Sequence, residues 1–179
     1  MIYPQLDMEQ TAILQTAAKM CAAARTAPKA NGTDSIVTLV LTGEDKDRLA
    51  EAMEAHGIRH PEQKAWYDRD AGNVRASGAV VLIGAKDLYR DANHCGMCGF
   101  GDCGNCAANG GRCLFTGIDL GVALGAAARA ASEDYVDSRI MFSIGKAAMD
   151  MGLQEGIIWH GIPLSVSSKS GYFDRKPIY

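Results

Sequence analysis

Five of the six cysteines in this 179-residue chain, Cys95, Cys98, Cys103, Cys106 and Cys113, fall inside 19 consecutive positions whose gaps are filled largely with glycine. A stretch so rich in thiols and so poor in large apolar side chains does not serve an ordinary core, so the fold must carry it as a loop around something else. Thiolates two residues apart can grip one soft metal centre, and glycines let the backbone curl until its amides approach the sulfurs. The spacing reads as a [4Fe–4S] site.

Four thiolates suffice for such a cluster and five are offered. Cys95, Cys98 and Cys103 form C-x2-C-x4-C, after which Cys113 or Cys106 supplies the fourth ligand. Cys113 is the better placed, because a remote cysteine lets the loop close on the cluster from the opposite side, and Cys106 is the alternative. Zinc is the main rival. Cys95 with Cys98 and Cys103 with Cys106 make two C-x2-C pairs, but four intervening residues are fewer than two zinc knuckles usually have between them. Reactive or disulfide-forming thiols are a third reading. Cys21 stands apart, as a small buried hydrophobe.

The rest of the chain supplies a scaffold. With 47% apolar residues and only five prolines, one compact domain over 1–179 is expected, with residues 94–114 as the cysteine loop within it. Eighteen basic against 21 acidic residues, a formal charge of −3, give no electrostatic reason to expect nucleic acid or an anionic membrane as partner. The first residues lack the basic and apolar regions of a signal peptide, and no stretch reaches the roughly 18 apolar residues of a membrane span, so a cytoplasmic protein is expected. In a reducing compartment clustered cysteines read as metal ligands rather than disulfides.

Apolar residues at helical spacing predict a helix over 7–27 with Asp7 as its N-cap. A β-branched run predicts a buried strand at 35–42, followed by a helix at 44–56. Another helix is expected between 61 and 76 and a second apolar strand at 78–84, about ten residues before the cysteines. Ligand loops commonly leave the carboxyl ends of strands in open α/β sheets. Helices are expected at 119–131 and 134–151, one or two strands at 156–167, and a polar, aromatic-tipped tail from 169 to 179. The class is therefore α/β. Gly121 and Gly125 share a helix face that would let another helix or the cysteine loop approach closely.

At residues 23–30, 79–84, 95–103, 119–125, 136–148 and 161–166, together with Cys113, the chain resembles the uncharacterised family of ferredoxin-domain-containing proteins of anaerobic bacteria and archaea. The resemblance implies a cluster bound by Cys95, Cys98, Cys103 and Cys113. A second similarity, carried by residues 23–53 and by Gly152 and Leu153, is to nitroreductase-like flavoproteins. It implies an α+β sandwich, a homodimer and an FMN site, with Arg25, Lys29 and Asn31 nearest the flavin. Read from the residues themselves, Arg25 and Lys29 are solvated cations opposing a helix dipole.

Other polar residues read more plainly. His94 adjoins the first cysteine and could donate a hydrogen bond to a cluster, though loop histidines are common. His160 reads as a satisfied core residue, Asp119 with Thr116 as a helix N-terminal cap, and His56 and His60 as residues without a carboxylate partner. Neither phosphate-binding glycine motif is present. The expectation is an iron–sulfur electron carrier serving a redox partner protein or a small-molecule acceptor. Amides of Gly96, Gly99, Gly101 and Gly104 and burial by Phe100 would set its potential. The alternatives are an FMN oxidoreductase with the cluster as relay and a zinc-stabilised interaction module.

Overall fold

The computed structural model describes residues 1–92 and 94–173. Its centre is a four-stranded sheet of β1 (Ile36–Leu41), β2 (Ala79–Lys86), β4 (Ile157–Ser165) and the two-residue β3 (Asp137–Ser138), in the order β1-β2-β4-β3. Every pairing is antiparallel, with Leu82 opposite Leu39 on one side and Gly161 on the other. The α/β class and the sandwich hold, but among the described residues no strand pair has the parallel geometry of the open sheets in which ligand loops are best known.

The strands alternate between two cores. Ala79, Val81, Ile83 and Ala85 of β2 face one layer, and Val80 and Leu82 face the other. Because both faces are covered, β2 reads as an unbroken apolar run. The first layer consists of α1 (Gln5–Thr26) and α5 (Leu114–Glu133), which pack side by side over β2. The second consists of α2 (Gly43–Arg59), α3 (Lys64–Ala76) and α6 (Phe142–Asp150), around the fully buried Tyr67, Met53 and Trp159. A side chain on Gly145 of α6 would meet the Trp159 carbonyl at 1.9 Å, and one on Gly161 would meet Ile144 at 2.0 Å. Those two glycines set the distance at which α6 lies on β4.

Several expected boundaries move. α1 begins after Pro4 rather than at an Asp7 cap. The expected helix at 134–151 starts only at Phe142, because Asp137 and Ser138 pair with β4 and Met141 bridges Gly161. Residues 156–167 hold one strand. The expected tail lies outside the described residues from position 174 onward.

α5 starts at Leu114, five residues before the expected position, which overturns the capping role of Asp119 and puts that residue in mid-helix. By length and mean hydropathy of 1.3, α5 would suit a membrane span, unlike anything expected from composition. Its inner face packs against α1 and β2, while Leu114, Ile118 and Val122 are exposed. Gly121 and Gly125 are exposed on it with open space where a Cβ would stand, so neither brings another part of this chain close.

Candidate metal centre

The cysteines occupy the excursion between β2 and α5. Between β2 and position 103 the described residues 87–92 and 94–102 belong to no helix or strand. The chain turns through Gly96, Gly99 and Gly101 at φ of 55°, 86° and 82°, a region in which side chains are disfavoured. Gly96 and Gly101 bridge each other across the turn, and the Gly99 amide donates to the Gly96 carbonyl at 2.9 Å. The six-residue α4 (Cys103–Ala108) follows, capped by Asp102, whose carboxylate accepts the Asn105 amide at 2.7 Å. The Tyr89 hydroxyl donates to the Gly111 carbonyl at 2.8 Å, and Arg112 pairs with Asp87 at 3.1 Å. These two ties close the loop at its base.

Cys95, Cys98, Cys103, Cys106 and Cys113 all line one pocket, with Tyr89, Met97, Leu114 and Phe115 among its apolar walls and Arg90 beside them. All six cysteines of the chain are unpaired thiols. Four of the five in the pocket are half-buried, whereas Cys106 is fully buried. Its burial, and then its hydrogen bond with Cys98, push the Cys106 thiol up to about 11. Cys113 is the residue before the first turn of α5. A side chain on Gly111 would meet the Phe100 ring at 2.6 Å and the Cys106 sulfur at 2.9 Å, so glycine there lets the loop fold down on the thiols. Phe100 itself is half-exposed rather than a buried cover.

Among the described residues no three cysteine, histidine or acidic groups gather as a site for a single metal ion. The five cysteines are instead lining residues of one pocket. A donor set of thiols in a glycine-turned loop suits an iron–sulfur core, whose ligands sit at separate corners.

The flavin candidates lie elsewhere in bonding terms. Arg25 makes a two-pronged pair with Asp34, at 2.5 and 2.9 Å, and also donates to the Ile36 carbonyl. That pairing raises the Arg25 pKa and lowers that of Asp34. Lys29 turns back onto the Arg25 and Ala27 carbonyls at 2.5 and 2.7 Å, as a cation at the end of α1 should. Asn31, at φ 56°, donates to the Arg90 carbonyl at 3.5 Å. Both cations are engaged within the chain.

Three histidine and carboxylate expectations change. His160 is at most partly satisfied: its Nδ1 is buried without a partner among the described residues, and burial, outweighing a hydrogen bond with the Trp159 backbone, lowers its pKa. His56 does have a carboxylate, since its Nδ1 lies 2.7 Å from Asp150 Oδ2, 94 positions away, where Arg59 also binds. His94 is exposed, at φ 57°.

Asp119 is buried and accepts from Arg90 Nη2 at 2.7 Å and from the Ala30 amide at 2.9 Å. Arg90, equally buried, also donates to the Leu88 carbonyl and to Ser35 Oγ. Sequence reasoning missed this pair. The usable signal was Asp119 itself, the only charged residue in the otherwise apolar run from 114 to 128, where a lone carboxylate on a buried face requires a partner.

Comparison with known proteins places this geometry in context. The sequence profile of a family described as uncharacterized proteins containing a ferredoxin domain matches residues 109–175, which include Cys113. An uncharacterized protein of Archaeoglobus fulgidus is 36% identical over 185 residues, covering 99% of each chain. Among solved structures, a variant of an FMN- and NADPH-dependent nitroreductase from a Sphingopyxis strain superimposes with a TM-score of 0.62 at 12% identity, over 92% of this chain and 83% of that one. A protein described as a nitroreductase and solved with FMN, from Desulfovibrio desulfuricans, gives 0.59 at 14% identity, over 92% and 80%. At such identities the likeness is one of fold.

Proposed function

The chain belongs to the family of uncharacterised proteins containing a ferredoxin domain, and from that premise we propose that it carries one [4Fe–4S] cluster and transfers single electrons. Cys95, Cys98, Cys103 and Cys113 would hold the cluster, with Cys106 buried behind them. When bound, the cluster supplies reversible one-electron chemistry. The chain supplies the thiolates, the amides of the glycine turns and an apolar wall of Tyr89, Leu114 and Phe115 that limits water. The partners in this reading are a redox protein or a small-molecule electron acceptor, in a reducing cytoplasm where thiols stay unpaired.

The observation that carries the reading is the convergence of five thiols, spread over 19 positions, on one pocket. Protein purified without oxygen should contain iron and acid-labile sulfide in equal amounts and show a broad visible absorption that bleaches on reduction. Cys95→Ser, Cys98→Ser, Cys103→Ser and Cys113→Ser should each lose most of the iron, while Cys106→Ser keeps it. Iron loss confined to Cys106→Ser among the last two would exchange their roles, and a colourless protein carrying zinc would end the redox reading. The nitroreductase-like fold favours a second reading, a flavin oxidoreductase with the cluster as relay. The engagement of Arg25 with Asp34 and of Lys29 with backbone carbonyls weighs against these residues as its flavin site.

A further inference from the structure

Arg90 presents an unexplained donor. Its Nη1 donates to the Leu88 carbonyl at 2.6 Å and its Nη2 to Asp119 and Ser35, yet its Nε is buried without any hydrogen-bond partner among the described residues. The side chain is 1% exposed, and the residue lines the same pocket as the five thiols. A buried, permanently charged guanidinium normally satisfies each of its donors, and an orphan of this kind calls for a partner the protein part does not supply. Sulfur atoms of a cluster are hydrogen-bond acceptors, and they become stronger ones when the cluster gains an electron.

We propose that Arg90 is a positioning and tuning residue for the redox centre, its Nε–H donating to a sulfur of the bound cluster and thereby raising the reduction potential. The proposal rests on the cluster reading above. Asp119 gives it its precision. By fixing Nη2 while Leu88 fixes Nη1, the carboxylate and the carbonyl leave Nε as the free edge of the guanidinium. Asp119 also neutralises the buried charge, so Arg90 contributes chiefly a directed hydrogen bond and little net field. The Ala30 amide and Ser35 hydroxyl extend the same network to the start of β1.

The test separates tuning from packing. Arg90→Lys keeps the charge and removes Nε. The double variant Arg90→Met with Asp119→Leu removes the pair together, which leaves net charge unchanged and avoids stranding a buried carboxylate. Both are purified without oxygen, assayed for iron and sulfide, and titrated potentiometrically by the electron paramagnetic resonance of the reduced cluster. The expected result is wild-type iron content with the one-electron equilibrium shifted about tenfold toward the oxidised form, a midpoint about 59 mV lower. If Arg90 only holds the fold, single substitution lowers thermal stability, the double variant restores it, and the midpoint stays where it was; that outcome overturns the proposal. Iron-replete variants with unmoved midpoints reject the tuning role alone, whereas wild-type protein free of iron and sulfide rejects the cluster reading and this role with it.

Discussion

The sandwich and the cysteine excursion are held by different means. In the sandwich, Trp159, Tyr67, Met53, Leu82 and Ile162 are fully buried, and the two cores on either side of β2 are almost wholly aliphatic and aromatic. In the excursion, Phe100 and Met97 are exposed, and Cys106 is the one cysteine wholly out of solvent. What orders the loop is a set of local hydrogen bonds and two ties at its base. The sandwich therefore owes its stability to apolar burial, whereas the loop rests on hydrogen bonds in contact with water, which add little net stability, and the cluster proposed above would add to it when bound.

Truncating the apolar half should have the largest effect. Trp159→Ala, which empties space under α6, is expected to cost about 3–5 kcal/mol. Denaturant titration should show the whole domain unfolding earlier in one transition, and a change confined to the loop would contradict the division drawn here. Next comes removal of iron by chelation. Hydrogen exchange at the amides of residues 94–113 should speed up at least about tenfold, because a ligand that binds only the ordered loop stabilises that loop. Exchange in β2 and β4 should hardly change, and equal acceleration in both would mean that the two regions fold as one unit.

The smallest effect concerns a polar tie within the packed half. Burial pushes the Asp150 carboxyl up, but hydrogen bonds from Lys146 and His56 outweigh it and hold the group below the ordinary carboxylate range. A carboxylate whose pKa is lower when folded stabilises the fold above its unfolded value, about 3.9, and loses that contribution as pH falls through the folded value. Asp150→Asn should thus cost about 1 kcal/mol near neutral pH, since the pairs are partly solvated. The gap from wild type should narrow only below about pH 4. Melting temperatures across that range would check it, and a gap that widens in acid would contradict the sign.

Much of this molecule is legible in the chain because local chemistry repeats itself. β2 announces itself through seven consecutive apolar or glycine positions, and α1 through its helical spacing of Ile13, Ala17, Met20 and Ala24. Residues 136–141 misled because Val136 and Ile140 also fit a helical period, and only pairing with β4 draws them out straight. Asp119 misled for a related reason. Three residues after Thr116 it imitates a cap, but α5 had already begun, and a partner 29 positions earlier turned the carboxylate inward.

The order of residues determined where thiols and glycines fall, and hence that a soft, thiolate-bound centre is the chemistry on offer, because ligand type and spacing are properties of the chain. Only the tertiary structure decided that all five cysteines line one pocket, that Cys106 is the buried one, and that Arg90 stands beside them with one donor lacking a partner among the described residues. Those facts depend on how β2 delivers the loop and α5 receives it. Contacts between residues far apart in sequence are settled by packing, on which local pattern has no purchase.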